Sequence, residues 1–264
     1  MKQGKVKPRI CVVNKNHPHS RGLVHCWPFT ENGGAIVRDV IKKNDIAMVN
    51  FSTTAWRKHA LGSIVKGTDT DSNYLLPTYF TGISHLVFYS VCLWFRVYTA
   101  EGSNSSFWWY EDRNSGEFRQ TRIYLSPGTG VINFNITDTA SGNTLITTTG
   151  NQRDGLWHHY VAVRDNQNVY IYIDGQLRAS KIPATIGVIN HNLRSTFMAN
   201  CGTTVFSDDD MAEIRMYKRA LSQKEVQSIY TNPWDIYYSK INISTKKSRN
   251  INLLTQTYRK RRIE

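Results

Sequence analysis

The chain has 264 residues and 40% hydrophobic content, which fits one large or two small water-soluble domains. It contains no run of about 18 apolar residues, so we expect no membrane span. The basic N-terminus lacks the apolar stretch of a secretory signal, which indicates a protein made in the cytoplasm.

The net charge of +13 is concentrated at the two ends of the chain. Residues 1–21 hold six basic residues and no acidic one, whereas residues 240–264 hold eight basic residues and a single acidic one. The sequence between them is neutral. We therefore divide the chain into a basic N-terminal segment (1–21), a body (22–238) and a basic C-terminal arm (239–264), which suits an acidic partner or remains a solvated tail.

The four cysteines, Cys11, Cys26, Cys92 and Cys201, are widely spaced and form no C-x-x-C pair. In a protein made in the cytoplasm, this favours free thiols over disulfides. A zinc site built from these thiols is disfavoured, because structural zinc sites use closely paired ligands.

Short alternating strands separated by turn residues recur along the body. In residues 90–98, Val91, Leu93, Phe95 and Val97 share one face, and residues 131–137 and 169–175 alternate in the same way. Turn signals recur about every ten residues, and no strand–helix–strand rhythm appears. The pattern predicts an all-β fold, a two-sheet antiparallel β-sandwich.

The stretch "SFWWYED" (106–112) carries an unusual density of aromatic residues. Alternate residues on a strand point to opposite faces, so one aromatic set faces outward unless the strand is buried on both sides. Exposed aromatic rings stack on sugars, whereas buried ones form core or subunit contacts. The candidate carbohydrate-binding residues are Trp108, Trp109, Tyr110 and Asp112.

The stretch "DGLWHHYVAVRDNQNVYIYIDGQL" (154–177) contains two adjacent histidines but does not predict a metal site. On a strand, His158 and His159 point to opposite faces and cannot bind one ion together. Asp174 precedes a glycine in a tight turn, where a positive φ is favoured. We interpret this stretch as a scaffold hairpin.

One helix is predicted near residues 222–231. Ser222 and Glu225 have the spacing of a capping box, and Leu221 and Val226 can form a hydrophobic staple. Pro233 ends the helix, since the residue before a proline disfavours helical geometry.

Four blocks together resemble the LamG-like jelly roll of the concanavalin A-like lectin and glucanase superfamily. They are "GLVHCWPF" (22–29), the segment 55–77, the hairpin 154–177, and "MAEIRMYKRALSQKEVQSIYTNPW" (211–234). The resemblance implies a jelly-roll path through two packed sheets. The superfamily includes lectins, adhesion modules, glycosidases and bacteriophage virion proteins.

In this family the closing strand commonly carries an aspartate where this chain has Ala212. Neighbouring acidic loops could replace it as calcium ligands, because calcium prefers several oxygen donors. The candidate calcium ligands are Asp208, Asp209, Asp210, Asp69 and Asp71. The alternative is two solvated acidic loops, and no cofactor is required.

The resemblance, the absent export signal and the basic ends together favour a virion-associated structural or adhesion protein of a bacteriophage. It would be present in several copies or as a homo-oligomer, contact other virion proteins and reach a host-surface glycan. Its candidate anchor residues in the arm are Lys246, Lys247, Arg249, Arg259, Lys260, Arg261 and Arg262.

Three alternatives remain open at this stage. One is a stand-alone carbohydrate-binding module. A glycoside hydrolase is disfavoured, because retaining catalysis needs two carboxylates about 5 Å apart and Glu111 and Asp112 are adjacent on a strand. Nucleic acid could bind only through the basic ends, without sequence specificity and with strong salt dependence.

Overall fold

We describe the fold from a computed structural model. The described residues are 7–52, 54–59, 61–67, 73–78, 83, 86–98, 106–113, 120–126, 128–137, 143–182, 193–199 and 209–238. The candidate residues Asp69, Asp71, Asp208 and Cys201 and the whole arm from residue 239 therefore lie outside the described residues. The same holds for the side chains of Tyr110 and Asp112.

The described residues form sixteen strands and one α-helix. In chain order they are β1 (Leu23–Trp27), β2 (Ile36–Val37), β3 (Ile46–Val49), β4 (Trp56–His59), β5 (Gly62–Lys66), β6 (Tyr74–Pro77), β7 (Phe88–Arg96), β8 (Ser106–Arg113), β9 (Gln120–Leu125), β10 (Ile132–Thr137), β11 (Asn143–Thr147), β12 (Trp157–Asp165), β13 (Asn168–Ile173), β14 (Gln176–Lys181), β15 (Leu193–Thr196), β16 (Asp210–Tyr217) and α1 (Gln223–Thr231).

The strands make three antiparallel sheets. The large sheet has eight strands. Seven follow the order β14-β13-β12-β7-β16-β5-β4, and the eighth, β1, pairs with the later part of β16, whereas β5 pairs with its first residues. The second sheet has the order β11-β10-β9-β8-β15, and the third is β2-β3-β6. This architecture confirms the predicted all-β sandwich.

The main core lies between the large sheet and the other two sheets. Apolar side chains from all three meet in one cluster, for example Leu93 of β7, Phe134 of β10 and Leu75 of β6. The alternation predicted for β7 is confirmed, because Val91, Leu93 and Phe95 enter this core while Cys92 and Trp94 enter a second cluster behind the sheet.

The second cluster lies on the opposite face of the large sheet. Residues 7–21, the helix α1 and residues 232–238 pack over this face, and we call these segments the back layer. Cys11 and Val13 are buried in it, and Val13 forms a β-bridge with Tyr237. The sequence predicted residues 1–21 as a segment separate from the body. Instead, residues 7–21 pack against the large sheet, because the short apolar stretch "ICVV" buries Cys11 and Val13 there.

The predicted helix is confirmed over Gln223–Thr231, with Ser222 as its N-cap. The Ser222 hydroxyl accepts from the Glu225 amide, and the Glu225 carboxylate accepts from the Ser222 amide at 2.9 Å, so the capping box is complete. Leu221 and Val226 are both buried in the back cluster. Within the described part of the chain, no helix is long and apolar enough to cross a membrane.

The structure corrects the assignment of Trp108 and Trp109 as sugar-stacking residues. Both indoles are fully buried in the main core. The β8–β9 register shifts between Phe107 and Trp109, and such a bulge turns two successive side chains to the same face. Trp108 stacks on Phe95 with ring centroids 3.9 Å apart, and its Nε1 donates to Asp209 Oδ2 at 2.7 Å.

We expect Trp108→Ala to lower the free energy of unfolding by roughly 3–5 kcal/mol, because it leaves a cavity in the sandwich core. Urea denaturation measures the change. The matched control is Phe88→Ala, because Phe88 is 45% exposed and its truncation should lower the free energy of unfolding by less than about 1 kcal/mol. Equal costs for the two variants would contradict the core assignment.

Candidate functional site

The two adjacent histidines diverge across the sheet as predicted. His159 is buried on the back face, with its ring 5.0 Å from that of Trp94, and burial lowers its pKa to about 3. His158 lies on the other face, where its Nδ1 is 2.8 Å from Asp174 Oδ2 and its Nε2 is 3.1 Å from Asp154 Oδ1. The pair therefore forms no joint site.

Asp174 performs the turn role that the sequence predicted. Its φ is +53°, its amide donates to the His159 carbonyl at 2.8 Å, and its Oδ1 accepts from the His159 amide at 2.9 Å. The carboxylate thus fixes the end of the β12–β13 hairpin. The hairpin is scaffold, as the divergence of the histidines also requires.

The described part of the predicted calcium site is engaged by protein groups. Asp209 accepts from Trp108, as stated above. Asp210 Oδ2 accepts from Arg96 Nε at 2.8 Å and from the Tyr98 hydroxyl at 2.6 Å. Arg96 thus already places a positive charge beside Asp210. Calcium binding by Asp208, Asp209, Asp210, Asp69 and Asp71 stays a prediction, as does the anchoring role of the arm.

A surface cleft of roughly 460 Å³ opens at the β4–β5 edge of the large sheet. Three separate stretches build it: Lys7 to Arg9, the loop after β1, and the β4–β5 hairpin. It is lined by Lys7, Pro8, Arg9, Thr30, Asn32, Lys58, His59, Gly62 and Ser63. These stretches are far apart in the chain, so the fold alone brings them together.

Gly62 allows the N-terminal stretch to pass close over the hairpin. Its φ is +94°, and a Cβ at this position would lie 2.9 Å from Cδ of Lys7. Lys7 continues beneath the hairpin, and its Nζ donates to the Ala212 carbonyl at 2.6 Å. Burial lowers the pKa of Lys7, partly offset by the negative charge of Glu213. This anchor positions Pro8 and Arg9 at the rim of the cleft.

The cleft is positively charged. None of its nine lining residues is acidic, and Arg9 and Lys58 are exposed cations. Among the described residues, neither has a carboxylate within 4.0 Å. Thr30, Asn32 and Ser63 add hydroxyl and amide groups, and Ser63 donates to the Asn32 side-chain oxygen. The arrangement can bind an anionic, hydroxyl-rich ligand.

His59 closes the inner end of the cleft as a neutral wall. Burial lowers its pKa, and the charge of Arg96 lowers it further. Trp157 Nε1 donates to His59 Nε2 at 3.2 Å, and the two rings lie 5.3 Å apart. The positive character of the cleft therefore comes from arginine and lysine and persists at neutral pH.

Sequence reasoning missed this cleft. The available signals were the basic residues in "KPR" (7–9) and "RKH" (57–59), but nothing in the sequence shows that these two stretches meet. The two stretches meet only in the folded chain. The N-terminal stretch crosses the β4–β5 hairpin, and Lys7 donates a hydrogen bond to Ala212, which is 205 residues away in the sequence.

The family profile described as the concanavalin A-like lectin/glucanases superfamily matches residues 69–227. No curated protein sequence matches the chain. Similar solved structures include the binding domain of Paraclostridial Mosquitocidal Protein 1, with 14% identity, a TM-score of 0.64, and coverage of 79% of this chain and 52% of that one.

Two further solved structures share the fold. The botulinum neurotoxin serotype G binding domain is 15% identical with a TM-score of 0.59, covering 79% of this chain and 50% of that one. Trypanosoma rangeli sialidase in complex with the inhibitor DANA is 12% identical with a TM-score of 0.59, and the match covers 87% of this chain and 36% of the sialidase chain. The chain thus spans about half the length of the toxin domains and about a third of the sialidase.

The His158 ion pairs predict a pH-dependent stability. Burial alone would lower the pKa of His158, but Asp174 and Asp154 outweigh it and raise the pKa above 6.5. The stabilisation is therefore fully present below about pH 6.5 and lost as pH rises through the folded-state pKa. We expect His158→Gln to destabilise more at pH 5.5 than at pH 9, measured by urea denaturation.

A second variant checks the cause of this pH dependence. Asp154→Asn removes one of the two carboxylates that raise the pKa of His158, so the upper limit of the stabilised window should move to lower pH. A difference between wild type and His158→Gln that does not vary with pH would contradict the assignment.

Proposed function

Since the chain belongs to the concanavalin A-like lectin/glucanase superfamily, we propose that it is a carbohydrate-binding adhesion module that recognises acidic glycans. The observation that carries the proposal is the basic cleft, where exposed Arg9 and Lys58 flank hydroxyl and amide groups. A carboxylated or sulfated sugar presents the complementary groups, namely an anion and several hydroxyls. Arginine also offers the planar pair of donors that fits a carboxylate.

The neighbouring structures support this proposal at the level of ligand chemistry. Two are binding domains of toxins, and the sialidase has also been solved with 2,3-difluorosialic acid, a carboxylated sugar. Among the described residues, none that lines the cleft is acidic, which favours binding over acid–base hydrolysis, since hydrolysis uses a pair of carboxylates.

The cleft lies at the surface and is open to solvent, which favours weak binding at each copy. Its ligand remains in contact with water, so each charge pair contributes modestly and is screened by salt. Display of several copies would raise the overall avidity without any new contact. We include such multivalent display in the proposal.

We expect Arg9→Ala and Lys58→Ala each to weaken binding of a sialylated oligosaccharide by roughly tenfold, which corresponds to about 1.4 kcal/mol. Calorimetric titration with 3′-sialyllactose measures this, with lactose as the uncharged comparison. Binding should also weaken between 0.05 and 0.5 M salt.

The matched control is Arg178→Ala, which removes an exposed cation from β14, at the opposite edge of the large sheet from β4. It should leave the affinity unchanged. Loss of affinity in Arg178→Ala as large as in Arg9→Ala would mean that net charge, not the cleft, attracts the glycan. Failure of a glycan array to show any acidic ligand would contradict the proposal.

The uneven charge favours a second role, attachment of the module to a larger particle. The body is neutral whereas residues 240–264 carry eight basic residues and one acidic residue, which suits an acidic protein surface. We propose a bacteriophage virion as that particle, with other virion proteins as partners and the basic arm as anchor.

Deletion of residues 240–264 should release the protein from its particle and leave glycan binding intact. Copurification with particles, followed by quantification of copies per particle, measures the effect. A charge-reversed arm with Lys246, Lys247 and Arg259 replaced by glutamate is the control for length. Unchanged incorporation of both variants would rule out the anchoring role.

A further inference from the structure

Two histidines and an aspartate meet in the back layer, away from the basic cleft. His17 and His19 flank Pro18 in a short 3-10 turn (Pro18–Ser20), and Asp235 follows the helix α1. His17 Nε2 lies 3.6 Å from Asp235 Oδ2, and His19 Nδ1 lies 3.7 Å from Asp235 Oδ1. The three potential ligand atoms all lie within 4.8 Å of one another.

Two facing atoms of this cluster, His19 Nδ1 and Asp235 Oδ1, are buried and have no hydrogen-bond partner among the described residues. His19 is 6% exposed, and the contact between the two atoms is a long ion pair when the histidine is protonated. Their 3.7 Å separation is too long for a hydrogen bond. Buried polar atoms without a hydrogen bond are destabilising, so a group that bridges both would be favoured.

The donor set has the chemistry of a transition-metal site. Imidazole nitrogen and carboxylate oxygen bind Zn²⁺ at about 2.0–2.2 Å, so two ligands on one ion lie roughly 3.3 Å apart at tetrahedral angles. The separations of 3.6 and 3.7 Å, which reach different oxygens of Asp235, are wider than this, and the three ligand atoms are spread over up to 4.8 Å, so the side chains must move closer together to bind one ion. Hard oxygen-seeking cations such as calcium are disfavoured by two nitrogen donors.

The backbone already holds the three ligands together. The Asn14 amide donates to the Ile236 carbonyl at 2.8 Å, and the Tyr238 amide donates to the Val12 carbonyl at 2.9 Å. Both bonds join the N-terminal stretch to residues 236–238, next to the cluster and on one side of it. An ion would therefore bind a largely organised site rather than fold one.

Two features of the surroundings bear on the binding. His17 Nδ1 accepts from the His19 amide at 3.2 Å, so coordination through Nε2 requires the imidazole proton to move to Nδ1 and that contact to open. Arg215, whose positive charge acts on Asp235, is paired with Glu213 at 3.0 Å, which reduces its repulsion of a cation.

We propose that His17, His19 and Asp235 bind one divalent transition-metal ion, with Zn²⁺ as the preferred occupant. Three protein ligands leave one coordination position, which faces solvent because His17 and Asp235 are only partly buried. The ion joins the N-terminal stretch to the segment that follows α1. This site is independent of the glycan-binding cleft and of the proposed adhesion role.

Calorimetric titration of the full metal-free chain with Zn²⁺ tests the site, with Co²⁺ absorption as the second probe. We expect one ion per chain, Co²⁺ visible bands of a low-coordinate nitrogen and oxygen site, and a metal-dependent rise in melting temperature. His17→Ala and Asp235→Asn should each weaken Zn²⁺ binding by roughly 100-fold.

The control is His158→Gln, which removes a histidine that also lies beside two carboxylates, in a different part of the body. It should leave the Zn²⁺ affinity unchanged. Circular dichroism of each variant shows whether it is folded, and His17 is the safer substitution because it is less buried than His19. Absence of saturable Zn²⁺ or Co²⁺ binding, or equal affinity in wild type, His17→Ala and Asp235→Asn, would overturn the proposal.

Discussion

The structure depends on the burial of the large sheet on both faces. The strand β16 is buried along its whole length, with the Ile214 side chain in the main core and the Arg215 side chain against the back layer. Arg215 pairs with Glu213 and donates to the Pro233 carbonyl, while the Tyr237 hydroxyl donates to Glu213. A buried ion pair is tolerated only when such partners complete it. The large sheet therefore needs the back layer to bury its second face. The position of the back layer in turn forms both the basic cleft and the proposed metal site.

Much of the fold could be predicted because its signals are local. Alternation identified β7, the spacing of Ser222 and Glu225 identified the helix, and Asp174 identified its turn. The burial of Trp108 could not be predicted, since a single bulge in β8 overrides the alternation of an otherwise regular strand. The packing of residues 7–21 was also missed, because net charge obscured a short apolar stretch.

The candidate sites could not be predicted, because each joins stretches that are remote in sequence. Arg9 and Lys58 share a cleft only because Lys7 is held beneath the β4–β5 hairpin. His17 and Asp235 meet only because the two ends of the body pair with each other. By contrast, the adjacent histidines of the β12 strand drew attention in the sequence and are separated by the pleat. Two adjacent residues of a strand point to opposite faces of the sheet, so they do not contribute to the same site.

The antiparallel bridge between Val13 and Tyr237 also determines how the body responds to mechanical force. Its hydrogen bonds run in succession, from Tyr238 with Val12 to Asn14 with Ile236. The chain therefore enters and leaves this pairing at the same end, and tension between the flanking segments would open the bonds one at a time, as in unzipping. Arg9 of the cleft lies on the N-terminal side of this bridge, and the chain leaves the bridge on its C-terminal side after Tyr238. An adhesion module held by its C-terminal arm and loaded through Arg9 would therefore place this bridge directly in the path of the force, whereas load on Lys58 passes to the paired strands β4 and β5.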